Sequence, residues 1–301
     1  MSVMLETLAS YVPAVVIQRL IHRPDPLRAP LAERQDGALL LADISDFTRL
    51  TAEHAAGGPA GAEVLGRTLN AIFAELIDLV HAHGGDVLTF AGDALLAFWP
   101  AAANDAGAVG AERAATCALT IQAMLHHRQH AATRSVTLRI GIAAGPVVLS
   151  HVGGVGGRWE MLVTGACLST LSQAKLAAVP GEVVCAAGTW PLLTDRFLGD
   201  VRAGGHVRLT ATTRALRWQR LVAPVLHPDM QRALHQYLPP SVRERLLAGQ
   251  TDWLADLRVV TALFVNLPQI GAETPLAETQ AVLTGVQGGL PRFRGRHQEQ
   301  A

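Results

Sequence analysis

Two carboxylates, Asp43 and Asp93, are the residues of this sequence best placed to do chemistry. Asp43 ends the apolar run Ala38-Leu39-Leu40-Leu41-Ala42 and opens a polar turn, Ile44 to Thr48. Asp93 sits in Phe90-Ala91-Gly92-Asp93-Ala94, with strand-like apolar sequence on both sides. Fifty positions separate them, which is room for one intervening helix. Either aspartate alone reads equally well as a strand end or a turn former. Together, each embedded in buried strand sequence, they argue for a shared partner, because a carboxylate held against apolar surface needs one. An oxygen-rich site of this kind suits Mg²⁺ or Mn²⁺, which take carboxylates together with phosphate oxygens at ~2.1 Å. Two such ions clamp a triphosphate and acidify an attacking hydroxyl. The turn Ser45, Asp46, Phe47 and Thr48 would then offer backbone N–H groups to phosphate at a helix N-terminus, with Ser45 as the cap.

Positioning these groups falls to the elements around them. Leu5 to Ile21 has helical spacing and is followed by a polar, Pro-containing linker to Asp36. Ala38 to Asp43 reads as a strand buried on both faces. Thr51 to Pro59 is loop-like, and Gly61 to His83 is helical, stopped by Gly84-Gly85. Asp86 to Phe90 and Ala94 to Trp99 form a hairpin around Ala91-Gly92-Asp93. Ala106 to Gln129 is a second long helix. Val136 to Ala144 is a strand, turned by Gly145-Pro146 into Val147 to His151. A glycine-dense loop, Gly153 to Gly157, leads to the strand Trp159 to Thr164, the helix Cys167 to Ala178 and the strand Val183 to Cys185. The fold class is therefore α+β, a ferredoxin-like βαββαβ core with an N-terminal helix. The domains divide as 1–36 (helix and linker), 37–222 (core unit), 223–256 (linker with a helix over Val242 to Leu247) and 257–301. In the last segment Arg258 to Leu267 repeats the character of the first strand, and a helix, Leu276 to Val286, follows. It reads as the truncated start of a second, similar domain.

Composition narrows the function class. Twenty-five basic and 25 acidic residues balance, so neither nucleic acid nor an anionic membrane is favoured as partner. The three cysteines, Cys117, Cys167 and Cys185, lack CxxC spacing and read as reduced core residues. No apolar run reaches the ~18–20 residues of a membrane helix. The expectation is a cytoplasmic protein. His81, His83, His126, His127 and His130 lie on helix faces without converging partners, and the Arg292, Arg294, Arg296 cluster reads as a solvated tail.

The stretch Leu41 to Thr48, with Phe90 to Trp99, resembles the first catalytic half of class III nucleotidyl cyclases. The nearest type is the bicarbonate-responsive soluble adenylyl cyclase and its bacterial relatives. The resemblance covers roughly Leu8 to Ala186 and resumes at Arg258 to Asn266. It implies that Asp43 and Asp93 hold two metal ions, with the Ile44 carbonyl as a further ligand, and that the substrate is ATP. It also implies a site shared between two domains, the second supplying purine-reading and transition-state residues. Thr89 stands where a second-type domain carries its lysine, Ser169 and Gln173 where it carries asparagine and arginine, and Asn266 where a first-type domain carries its aspartate. At Asp46 a glycine is commoner in the family. The expected reaction is formation of cyclic AMP and pyrophosphate once a complete second domain is present, in cis, in trans or as a homodimer. A catalytically silent nucleotide-binding or regulatory module is the alternative.

Overall fold

A computed structural model gives the fold for residues 3–101, 107–126, 136–214, 220–248, 270–271 and 273–294. Two short helices come first, α1 (Val3–Ala9) and α2 (Ala14–His22), where the periodicity suggested one. Pro13 separates them: it has no N–H to continue a helix and precedes α2 instead. Because proline offers no side-chain cap, α2 takes its cap from another element. The Val15 N–H donates to Asp86 Oδ2 at 2.8 Å, anchoring α2 to the sheet.

The first strand, β1 (Leu31–Ile44), runs 14 residues and includes six that read as linker. Its polar first half alternates exposure, and its apolar second half is buried on both sides. Next come α3 (Phe47–Ala55) and α4 (Gly58–Ala82). Thr51 to Pro59 is thus mostly helical, not loop. Pro59 sits in the first turn of α4, where its missing N–H costs nothing. The hairpin β2 (Asp86–Ala91) and β3 (Ala94–Pro100) follows, then α5 (Ala108–His126). The strand β4 (Leu138–Gly153) is continuous through Gly145-Pro146, where a turn was expected. It pairs with β1 on both sides of that point, Gly37 opposite Gly145 and Asp36 opposite Pro146, and the ladder holds it straight. After β5 (Trp159–Thr164), α6 (Ala166–Ala177) and β6 (Val183–Cys185) come two strands not read from the sequence, β7 (Phe197–Val201) and β8 (Val207–Thr212). The short helices α7 (Gln231–His235) and α8 (Pro240–Leu247) complete this part.

The sheet order is β2-β3-β1-β4-β6-β8-β7, with β5 also on β4. Alternation along β1 explains its unbroken apolar run. Leu40, Ala42 and Ile44 pack under α4 and α5 with Ile72, Leu76, Ala111, Ala115 and Ile121. Leu39 faces the other layer, where Leu8 and Leu20 join Leu171 and Ala174 of α6. Each fully buried Leu or Ile is worth ~1.5–3 kcal/mol, so both layers are strongly held. Within residues 223–248, Ala233, Leu234, Leu238 and Leu246 are buried in the layer shared with α1 and α2.

The expected strand Arg258 to Leu267 and Asn266 within it lie outside the described residues. The helix expected from Leu276 is α9 (Leu276–Arg294), longer than the pattern indicated. It docks on the glycine-dense connector after β4, where Gln280 Oε1 accepts from the Gly153 N–H (2.8 Å) and its Nε2 donates to the Gly153 carbonyl (2.7 Å). Among the described residues no helix is long and apolar enough to cross a membrane.

Candidate active site

Asp43 lies at the C-terminal end of β1, opposite Ala94 of β3 on one side and Arg139 of β4 on the other. Asp93 occupies the β2–β3 turn, which Gly92 makes possible with φ 65°. The turn is stitched to β1 by the Ile44 N–H, which donates to the Asp93 carbonyl at 3.3 Å. Both aspartates therefore lie at the same end of the neighbouring strands β1 and β3, Asp43 in the ladder and Asp93 in the turn just beyond it.

The face that Asp43 uses follows from β-strand alternation. It shares parity with Leu39 and Leu41, on the layer covered by α6. From α6, Lys175 Nζ donates to Asp43 Oδ2 at 3.1 Å, and the two side chains are 22% and 20% exposed. α6 comes this close because β4 has no side chain beneath it. A Cβ on Gly141 would lie 2.7 Å from the Lys175 nitrogen and 2.9 Å from the Leu171 carbonyl oxygen. Arg139, directly across from Asp43, shares that face; its Nε is buried without a hydrogen-bond partner. Asp43 thus has Ala94 across the ladder on one side and the cationic residues Arg139 and Lys175 on the other.

The segment expected to bind phosphate divides. The Ser45 N–H donates to the Thr137 carbonyl at 2.8 Å and is not available to a ligand. Its hydroxyl is buried without a partner, and it does not cap α3. Asp46 is the N-cap residue, in the left-handed conformation (φ 58°) and without a side-chain cap bond. Its carboxylate instead faces Arg49 at 3.4 Å on the open surface. Phe47 and Thr48 begin α3 and carry first-turn N–H groups of the kind that have no helical acceptor.

Thr89 is exposed on β2, and Ser169 and Gln173 lie on α6, as their positions in the sequence required. Among the described residues no three His, Cys, Asp or Glu side chains converge. A metal here would rest on two carboxylates, a backbone oxygen and substrate oxygens. That donor set fits Mg²⁺ or Mn²⁺, which rarely use an all-protein cage. A cation resting on Asp43 already shows that the carboxylate is placed to receive positive charge.

Two members of this cluster escape sequence reading, Arg139 and Lys175. Signals for both exist. Arg139 is the lone charge in the apolar strand Leu138 to Ala144, and Lys175 is the one lysine in a chain with 24 arginines.

The sequence of residues 31–218 matches the adenylate and guanylate cyclase catalytic domain. Rabbit (Oryctolagus cuniculus) adenylate cyclase type 10 is 24% identical over 330 aligned positions, covering 93% of this chain and 20% of that protein. The chain therefore spans about a fifth of the length of that relative. The adenylyl cyclase CyaB of P. aeruginosa superposes with a TM-score of 0.50 at 20% identity, over 63% of this chain and 99% of that one. A dimeric guanylyl cyclase domain of the Blastocladiella emersonii RhoGC fusion protein gives 0.51 at 20% identity, over 62% and 100%. Through the match that spans β1 to β8, the chain belongs to the adenylate and guanylate cyclase catalytic domain family.

Proposed function

We propose that this chain is the metal- and phosphate-binding half of an adenylate cyclase site, completed by a second cyclase domain. The observation that supports the reading is the backbone bond from the Ile44 N–H to the Asp93 carbonyl, which ties the Asp93 turn to the end of β1 that carries Asp43. Asp43, Asp93 and the Ile44 carbonyl would hold two divalent ions. Bound there, the ions would supply Lewis-acid stabilisation of the triphosphate and a more acidic 3′-hydroxyl. In the reaction the 3′ oxygen of ATP attacks the α-phosphorus. The O3′–P bond forms, the bond to the bridging oxygen of the leaving pyrophosphate breaks, and the hydroxyl proton passes to solvent water.

The chain's own groups serve this displacement in defined ways. Arg139 would meet the negative charge that grows on the leaving phosphates, and preorganised donors of this kind each lower a barrier by ~3–4 kcal/mol. The first-turn N–H groups of Phe47 and Thr48 would orient a terminal phosphate. Thr89, Ser169 and Gln173 offer neither a base-reading lysine nor a transition-state cation, so those groups must come from the partner. ATP as substrate is favoured by the adenylate cyclase relatives.

The test is calorimetric titration with ATP and Mn²⁺, followed by a cyclase assay with a separately supplied second-type domain. Asp43→Asn and Asp93→Asn are each expected to abolish metal-dependent nucleotide binding and to lower cyclic AMP formation by at least about a hundredfold. Unchanged binding in both variants would overturn the assignment.

A further inference from the structure

Lys175 is the single lysine of a chain that otherwise uses arginine 24 times. Its ammonium lies 3.1 Å from Oδ2 of Asp43, the carboxylate proposed above to hold metal. Gly141 lets α6 approach β4 closely enough for that reach. The lysine follows the buried Ala174 on α6, and its side chain is itself only 22% exposed. Resting on the proposal above, we infer that Lys175 is a built-in competitor for divalent metal at Asp43. It occupies the carboxylate while the site is empty and must leave when the metal enters.

Two physical facts make the exchange necessary. A divalent ion binds a carboxylate oxygen at ~2.1 Å, inside the space the ammonium fills. Two cations on one oxygen also repel at short range with little water between them. Lysine suits this role and arginine does not. Its ammonium is a compact point charge on a flexible stem, while a guanidinium would grip the carboxylate with two parallel bonds and resist displacement. An arriving triphosphate offers Lys175 a new anion, so metal and nucleotide should bind together better than metal alone.

The experiment uses the full chain without nucleotide, titrated with Mn²⁺ alone, the free ion being read by its electron paramagnetic resonance signal. Lys175→Met should bind Mn²⁺ about tenfold more tightly than wild type, the size expected from losing one partly shielded ion pair. Lys175→Arg should bind no more tightly than wild type. Because the chain has one lysine, a second readout is direct: added Mn²⁺ should raise the acylation rate of Lys175, followed by mass spectrometry. Equal or weaker Mn²⁺ affinity in Lys175→Met, or acylation unmoved by Mn²⁺, overturns the inference. Asp43→Asn separates the two failures. If it loses Mn²⁺ binding while Lys175→Met gains nothing, only the competitor role falls. If it binds like wild type, the metal assignment itself falls.

Discussion

Replacing Gly141 by alanine tests the contact that brings α6 to the site. The new methyl would sit 2.7 Å from the Lys175 backbone nitrogen, 2.9 Å from the Leu171 carbonyl oxygen and 2.9 Å from the Lys175 Cβ. None of these is the free end of a flexible side chain, so the helix itself must yield. Reaching ordinary contact, which begins at 3.4 Å, requires a shift of about 0.7 Å. Overpacking of this kind costs ~1–3 kcal/mol. Alanine returns ~0.5–1 kcal/mol by restricting the unfolded chain. The net loss, up to ~2.5 kcal/mol and centred on ~1 kcal/mol, lowers Tm by roughly 2–4 °C for each kcal/mol in a domain of this size. The same shift lengthens the Lys175–Asp43 contact beyond hydrogen-bond range. The assay is scanning calorimetry beside Gly188→Ala, where an added Cβ meets nothing within 4 Å and the change should stay within about 0.5 kcal/mol of wild type. Equal melting of the two variants would refute the claim that α6 rests on Gly141.

Two buried groups should give opposing pH responses. Burial pushes the Asp86 carboxyl up from 3.8 to about 6, against the pull of the backbone N–H groups it accepts from. Its folded pKa is above its unfolded one, so its stability contribution is complete below about 4 and is lost as pH rises through 6. Asp86→Asn should therefore gain on wild type across that window, by up to about 3 kcal/mol in Tm-derived stability. Burial and the nearby Arg19 push His151 down from 6.5 to about 4, so its contribution is present above 6.5 and is lost as pH falls toward 4. Because the two slopes oppose, wild type should show a shallow Tm profile from pH 4 to 7, and Asp86→Asn should expose a steeper acid loss. Asp46→Gly should raise stability by ~0.5–1 kcal/mol, since glycine adopts φ 58° without a Cβ penalty.

The parts legible in the sequence were those whose signals are local. Ala38 to Asp43 announces a strand by its own apolar run, and Gly92-Asp93 announces a turn by the backbone freedom glycine supplies. What the sequence could not display depends on register. Arg139 meets Asp43 only because β4 pairs with β1 in one alignment; a slip of one residue would turn its side chain to the α4–α5 layer. Asp86 caps α2 across 71 positions, and Lys175 reaches Asp43 across 132. Pro59 misled because proline interrupts a helix from within yet favours its first turn, and only the position of the break tells the two apart. Lys175 and Gln173 lie on one helix but not on one face of it. Two residues along an α-helix turn a side chain by about 200°, to nearly the opposite side. A cation on that side serves the domain's own aspartate and cannot serve a site shared with a partner through Gln173. Asp43 therefore has its counter-cation within its own domain, a lysine on α6 at 3.1 Å, whatever a partner brings.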